Sequence, residues 1–196
     1  MTPETLARAL PPIDMGARGD HDLNPDLLPG GRLREAAVLV PILNHATGLS
    51  IVLTQRTQHL AAHAGQIAFP GGGIDPGDAT PLAAALRETE EEIGLPAGRV
   101  RILGRLDTYI TRTGYRVEPF VGLIEPPVTL RPEPGEVADI FEVPLAFILG
   151  DRMPERHSRR YQGKTRHFYV FPYGERYIWG ATAGMLKNLR DRILGS

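Results

Sequence analysis

Six short segments of the chain are rich in the apolar, β-branched and aromatic residues that are typical of β-strands. They lie at 36–43, 50–56, 100–109, 115–124, 140–143 and 166–171. The sequence Asn44-His-Ala-Thr-Gly between the first two has the composition of a hairpin connection, and Thr111-Arg-Thr-Gly separates the third from the fourth. The first four segments therefore predict two pairs of strands.

The segment 81–94 has the clearest helical pattern in the chain. Pro81 suits a first helical position, and either Asp78 or Thr80 can cap the free amides at that end. Gly94 indicates where the helix ends, because glycine readily adopts the left-handed conformation found just beyond a helix. A helix of about 13 residues is therefore expected here.

The remaining apolar pattern predicts a helical tail at 179–194 and shorter helical pieces near 3–10 and 144–149. Strands and helices thus occur together along the chain, with neither internal repeats nor an internal linker. This mixture predicts an α/β fold.

Segments rich in glycine, proline and acidic residues separate these elements. Three consecutive glycines make 69–73 a predicted loop, because glycine and proline interrupt both regular structures, and 125–136 is a second predicted loop. The first part of the chain has a similar composition. We predict an N-terminal arm at 1–34, packed on a single domain at 35–196.

Composition and charge exclude several classes of protein. A formal net charge of -1 argues against nucleic-acid binding, and the absence of cysteine excludes disulfides, thiolate metal sites and a cysteine nucleophile. The best apolar run, 36–43, is too short to cross a bilayer. We predict a cytoplasmic protein without nucleic-acid or membrane partners. A homodimer, formed through the arm or the final helix, is left open.

Candidate chemistry begins on the helix at 81–94. At about 100° per residue, three acidic side chains fall on the side opposite the apolar residues Leu82, Leu86 and Ile93. They are Glu88, Glu91 and Glu92. Like charges at this spacing repel one another, and a divalent cation would turn that repulsion into coordination. The alternative is a solvated acidic face, which is common on surface helices.

The three glycines just before this helix favour the first interpretation. Gly71, Gly72 and Gly73 let the backbone approach a ligand closely and offer carbonyl oxygens to a metal ion. A loop that leads into a helix N-terminus also favours phosphate groups. The sequence therefore predicts a site for a metal–phosphate complex.

The same window resembles the Nudix box, G-x5-E-x7-R-E-U-x-E-E-x-G-U, in which U is aliphatic. The matching residues are Gly72, Asp78, Arg87, Glu88, Glu91, Glu92, Gly94 and Leu95. The chain departs from the box in three places, with Asp78 for glutamate, one extra residue before Arg87, and Thr89 for an aliphatic residue. The resemblance implies a Nudix-type α/β/α sandwich, with a mixed sheet between helices.

The resemblance also implies roles for these side chains. Glu88, Glu91 and Glu92, with the carbonyl of Gly72, would hold Mg²⁺ or Mn²⁺. Arg87 would orient the glutamates through ion pairs.

Two further roles follow from the resemblance. Asp78 would cap the helix or pair with Arg87, and Gly71 and Gly72 would lie against the substrate. Many family members use one more carboxylate as a metal ligand or general base, and Glu136 is our candidate here. An exposed loop glutamate is the alternative, and the rival residues are Glu133, Asp139 and Glu142.

A second motif precedes the box. Val52-Leu-Thr-Gln-Arg56-Thr57, Gly65 and Phe69-Pro-Gly-Gly72 resemble the coenzyme A diphosphatase motif L-L-T-x-R-[SA]-x3-R-x3-G-x3-F-P-G-G at matching spacing. Arg56 would contact the diphosphate or a 3'-phosphate, although a surface arginine is the alternative. Ala61 stands where the motif has a second arginine.

These resemblances imply an enzyme that hydrolyses coenzyme A, or its thioesters, at the diphosphate. The missing arginine leaves ADP-ribose, NADH or another nucleoside diphosphate derivative as an alternative substrate. A catalytically silent module that binds a nucleotide metabolite is a second alternative. A basic cluster between 156 and 167 would meet phosphate groups or form a solvated loop.

Overall fold

The computed structural model describes residues 1–10, 16–27, 30–59, 64–161 and 163–195. The helices are α1 (Pro3–Ala9), α2 (Pro81–Ile93), α3 (Leu145–Leu149) and α4 (Gly180–Leu194). The strands are β1 (Ala17–Gly19), β2 (Arg34–His45), β3 (Gly48–Arg56), β4 (Ile67–Ala68), β5 (Gly71–Gly73), β6 (Val100–Arg105), β7 (Thr108–Ile110), β8 (Tyr115–Ile124), β9 (Val137–Pro144), β10 (Glu155–Tyr161), β11 (Lys164–Tyr173) and β12 (Arg176–Trp179).

A nine-stranded mixed sheet forms the centre of the fold. Its main path runs β1-β7-β8-β2-β3-β4, with β5 paired to β2, β6 to β8 and β9 to β3. β2 and β8 pair in parallel over ten residues, from Arg34 opposite Tyr115 to Leu43 opposite Ile124. The antiparallel pairing of β3 with β9 brings the residues just before β9 next to the end of β3.

Strand β2 shows why the sheet is covered on both faces. Its side chains alternate between two cores, because successive residues of a strand point to opposite sides. Ala36, Val40 and Ile42 join the core beneath α3 and α4, whereas Ala37 and Leu39 join the apolar clusters beneath α2. The predicted α/β/α sandwich with a mixed sheet is confirmed.

Two parts of the chain extend the core beyond the central sheet. The antiparallel sheet β10-β11-β12 contributes Phe171 and Ile178, both fully buried. From the N-terminal segment, Leu6 of α1 and Leu10, just after the helix, are buried in the same core, and β1 pairs in parallel with β7. The N-terminal segment is therefore packed against the rest of the fold.

Several predicted elements need correction. The predicted loop 69–73 is wrong in part, because Gly71–Gly73 forms the strand β5 and pairs with β2. Glycine occurs in a strand where another part of the protein approaches the backbone closely. The predicted strand 100–109 is two strands, β6 and β7, which are separated by Leu106 and Asp107. The basic cluster at 156–167 lies on β10 and β11 rather than in a loop, and β1 and β12 were not predicted.

Within the described ranges, no helix is both long enough and apolar enough to cross a membrane.

Candidate active site

Helix α2 begins and ends at capping residues, and its small side chains let it pack close to the sheet. Thr80 caps its N-terminus by accepting a hydrogen bond from the Ala83 amide at 3.1 Å, and Gly94 ends it with a φ of 65°. Ala84 and Ala85 are fully buried and pack with Ala37 of β2. The helix therefore approaches β2 and β5 closely enough for its acidic side chains to contact backbone.

The three glutamates of α2 differ sharply in exposure. The exposed fraction of the side chain is 60% for Glu91, 20% for Glu88 and 4% for Glu92. Glu92 is therefore buried, although the helical pattern places it away from the apolar residues Leu82, Leu86 and Ile93. Residue Thr89 of the same helix is also fully buried, so the packed side of α2 is wider than its apolar residues indicate.

Glu92 is held by a backbone amide and an arginine. Its Oε2 accepts a hydrogen bond from the Gly71 amide at 3.2 Å, and Nη1 of Arg56 lies 3.4 Å from Oε1. The pKa of Glu92 is raised to about 7, chiefly by burial and also by the negative charges of Glu136 and Glu88, whereas the Gly71 amide and Arg56 oppose this rise. A divalent cation would favour the ionised form.

Glu88 lies directly against the backbone of Gly72. A Cβ atom added at Gly72 would lie 2.6 Å from the Glu88 carboxyl carbon and 2.7 and 2.8 Å from its two oxygens. Only glycine permits this approach. Burial raises the pKa of Glu88, and the charges of Glu91 and Glu136 add to this, whereas Arg87 opposes it.

Arg87 connects the carboxylates of the helix to the loop before it. Its Nε and Nη2 donate to the two oxygens of Asp78, both at 3.0 Å, and this pairing lowers the pKa of Asp78. Its Nη1 donates to Glu88 at 2.9 Å and to Glu91 at 3.0 Å. The guanidinium therefore holds two of the three glutamates, as an orienting residue would.

The structure brings Glu136 to the same group. It is exposed, and its carbonyl accepts a hydrogen bond from the Thr57 amide at 2.9 Å, next to Arg56. Its charge raises the pKa values of both Glu88 and Glu92, as expected for a nearby carboxylate.

Two of the rival carboxylates are engaged elsewhere. Asp139 pairs with Arg176, and Glu142 accepts hydrogen bonds from His45 and Ser50. The Glu133 amide donates a hydrogen bond to the Glu92 carbonyl at 2.9 Å, and the Glu133 side chain accepts one from the Gly135 amide at 3.4 Å.

Metal ligation by these residues stays a prediction. Among the described residues, no three His, Asp or Glu side chains already converge as a metal site, since Arg87 engages Glu88 and Glu91 while Glu92 contacts Gly71. The donor chemistry nevertheless fits Mg²⁺ or Mn²⁺, because three carboxylates lie within two helical turns and one of them, Glu88, lies against the Gly72 backbone.

A cleft of about 510 Å³ lies beside this group. Arg56, Gly71 and Gly72 form the part of its lining that contacts the glutamates. A second part of the lining, called here the wall, consists of aromatic and basic side chains of β10, β11, β12 and the turn after β7. They are Arg112, Arg159, Tyr161, Arg166, Phe168 and Trp179.

The residues of this wall were not predicted from the sequence to lie together. Arg159 and Tyr161 alternate along β10, and Arg166 and Phe168 alternate along β11, so that each pair shares one face of its strand. That period of two was the available signal. The positions of Ala61 and of the motif residues around it lie outside the described residues.

Comparisons with known proteins agree with this geometry. The Nudix domain family matches residues 33–168. An uncharacterized Nudix hydrolase NudL of Escherichia coli K12 is 43% identical over 162 residues, which cover 82% of this chain and 83% of the relative, and a NudL of Shigella boydii matches to the same extent. A solved MutT/nudix family protein from Enterococcus faecalis has a TM-score of 0.52 at 16% identity, over 86% of this chain and 65% of that chain, which concerns the fold alone. The chain therefore belongs to the Nudix hydrolase family, whose members act on phosphate anhydrides.

Proposed function

We propose that the protein hydrolyses the diphosphate bond of coenzyme A or its thioesters. The products would be adenosine 3',5'-bisphosphate and 4'-phosphopantetheine or its acylated form. The observation that carries this proposal is one cleft whose lining includes both the arginine-rich wall and the residues that contact the α2 glutamates. Arg56 and Gly71 contact Glu92. Gly72 lies against Glu88. The volume of the cleft lies in the usual range for small-molecule sites, and its charge suits a ligand with phosphate at more than one position.

Arg56 is the proposed contact to the substrate diphosphate. Its side chain lines the cleft and lies 3.4 Å from Glu92. Its Nε is buried and has no hydrogen-bond partner among the described residues. A buried donor without a partner costs free energy, and a hydrogen bond from this atom to a phosphate oxygen of the substrate would remove that cost.

Glu88, Glu91 and Glu92, with the Gly72 carbonyl, would hold Mg²⁺ or Mn²⁺. When bound, the ion supplies charge neutralisation at the diphosphate and lowers the pKa of water. Arg87 positions two of these carboxylates. The backbone of Gly71 and Gly72 lines the adjoining end of the cleft and leaves space for the substrate.

Glu136 is the proposed general base. Its carboxylate is exposed and lies near Glu88 and Glu92, so it can accept a proton from the attacking water. Water adds across the P–O–P bridge, and the bridging oxygen leaves with one phosphorus as a phosphomonoester. The other phosphorus takes the hydroxyl group, so no covalent intermediate with the protein is required.

Product analysis tests this proposal directly. The protein is incubated with coenzyme A, ADP-ribose and NADH in separate reactions, with Mg²⁺ or Mn²⁺ and with a chelator as the control. Adenosine 3',5'-bisphosphate from coenzyme A, absent with the chelator, is the expected result. Release of AMP from ADP-ribose or NADH without cleavage of coenzyme A would refute coenzyme A as the substrate, but it would leave diphosphate hydrolysis as the reaction.

A further inference from the structure

Two arginines in the wall of the cleft have no carboxylate partner among the described residues. The guanidinium of Arg112 lies over the ring of Tyr161 at 4.8 Å, and that of Arg159 lies over the ring of Trp179 at 5.0 Å. An aromatic face holds a guanidinium in place but does not neutralise it. The wall therefore presents two oriented cations to the cleft.

A third arginine adds to this charge. Arg166 stands directly opposite Arg159 in the antiparallel pairing of β10 with β11. Like charges at directly opposed positions destabilise a sheet. Asp26 pairs with Arg166 and Lys164, each at 2.7 Å, but Nε of Arg166 is buried without a partner in the described part of the chain. An anion bound between the two guanidinium groups would relieve this repulsion.

The only acidic side chain that lines the cleft within the described residues is Asp20. Its Oδ1 accepts a hydrogen bond from the Tyr109 hydroxyl at 2.9 Å, and its Oδ2 accepts one from the Arg112 amide at 2.7 Å. Both oxygens are thus used to fix the turn that carries Arg112. Asp20 positions this cation and leaves the guanidinium free for a ligand.

We propose that Arg112, Arg159 and Arg166 form a phosphomonoester subsite, separate from the diphosphate end of the cleft. Under the proposed function, on which this identification of the ligand rests, the subsite binds the 3'-phosphate of the adenosine moiety. Arginine suits this role because its planar fork binds two phosphate oxygens at once. The subsite would make the enzyme prefer nucleotides with a 3'-phosphate over those without one.

Trp179 provides a binding assay that does not depend on catalysis. It is the only tryptophan of the chain, and it packs against Arg159 and Phe168 in the wall. Its fluorescence is followed during titration with adenosine 3',5'-bisphosphate and with AMP, in the presence of a chelator. We expect the bisphosphate to bind at least about tenfold more tightly, since a charge-assisted hydrogen-bond pair is worth about 1.5–3 kcal/mol.

The variants Arg159→Gln and Arg112→Gln should each reduce this preference by about fivefold or more. Arg160→Gln is the matched control, because Arg160 is the next residue of β10, points to the other face and does not line the cleft. Calorimetric titration repeats the measurement for Arg159→Gln, where the change next to Trp179 alters its fluorescence.

Two outcomes would overturn the subsite. One is equal affinity of the unaltered protein for both nucleotides, or no saturable binding of either. The other is an equal loss of affinity for both nucleotides in the Arg159 and Arg112 variants. Bisphosphate preference without cleavage of coenzyme A would retain the subsite and overturn the proposed function. Cleavage of coenzyme A without that preference would support the proposed function and refute the subsite.

Discussion

Alanine substitution at each of the three glycines of β5 should have three different effects, although the residues are adjacent. At Gly72 the new Cβ would lie 2.6 Å from the carboxyl carbon of Glu88, whereas ordinary contact begins at 3.4 Å. The Glu88 carboxylate must therefore move by about 0.8 Å. The Glu88 carboxylate is the end of a flexible side chain and can move. We therefore expect Gly72→Ala to fold normally and to lower the activity.

The size of the activity loss follows from this displacement. A misplacement of about 1 Å at a catalytic group costs about 10²-fold in rate, which corresponds to about 2.7 kcal/mol of transition-state stabilisation. We therefore expect Gly72→Ala to lower kcat/KM by about 100-fold. The thermal unfolding midpoint should change by less than about 2 °C, since no backbone atom is displaced.

The neighbouring glycines serve as controls. A Cβ at Gly73 meets no heavy atom within 4 Å, so Gly73→Ala should leave both activity and stability close to those of the unaltered protein. Gly71 has a φ of 144°, and a Cβ there would lie 2.4 Å from the backbone oxygen of Ala37. Gly71→Ala should therefore destabilise the fold by about 2 kcal/mol or more, because the β2 backbone cannot move aside freely.

Steady-state hydrolysis and thermal unfolding, measured on all three variants, test this reasoning. Gly72→Ala with activity within about threefold of the unaltered protein would refute the role assigned to the Glu88 position. An equal loss of activity in Gly73→Ala would show that the strand itself, rather than the contact with Glu88, is sensitive to substitution.

Three further predictions follow from named contacts. Glu91→Gln should lower turnover by about 100-fold or more while the unfolding midpoint stays within about 2 °C, because the side chain is 60% exposed and such ion pairs add little stability; full activity would contradict its role. Thr80→Ala removes the cap on the Ala83 amide and should cost about 1 kcal/mol in urea unfolding, with turnover per folded molecule unchanged. Asn188→Leu should cost about 2–5 kcal/mol in the same assay, since Asn188 is buried and makes hydrogen bonds with both the amide and a carboxylate oxygen of Asp107; an unchanged midpoint would show that these groups find other partners.

Local signals in the sequence were sufficient for the main elements of the fold. The helix α2 begins after a capping threonine and ends at a glycine, and both ends follow from local conformational preferences. The apolar run of β2 was equally readable, because a strand that is buried on both faces is apolar at nearly every position. The glutamates and the glycines were identified from short-range spacing, and Arg87 from the resemblance to the Nudix box, which is itself a short-range pattern.

The assembly of the site required the tertiary structure. Glu92 is 4% exposed only because β5 and Arg56 cover it, and Arg56 lies 36 residues away in the chain. Glu136 reaches the glutamates because β9 pairs with β3, which helical periodicity cannot reveal.

The wall of the cleft shows the same division. The sequence by itself determined that 156–167 is basic and that residues such as Arg159 and Tyr161 alternate along it. Only the tertiary structure decided that these side chains line the same cleft as Gly72, because strand pairing and the packing of the N-terminal segment are long-range contacts. Local preferences specify elements, whereas the relative position of two elements depends on surfaces that are distant in sequence.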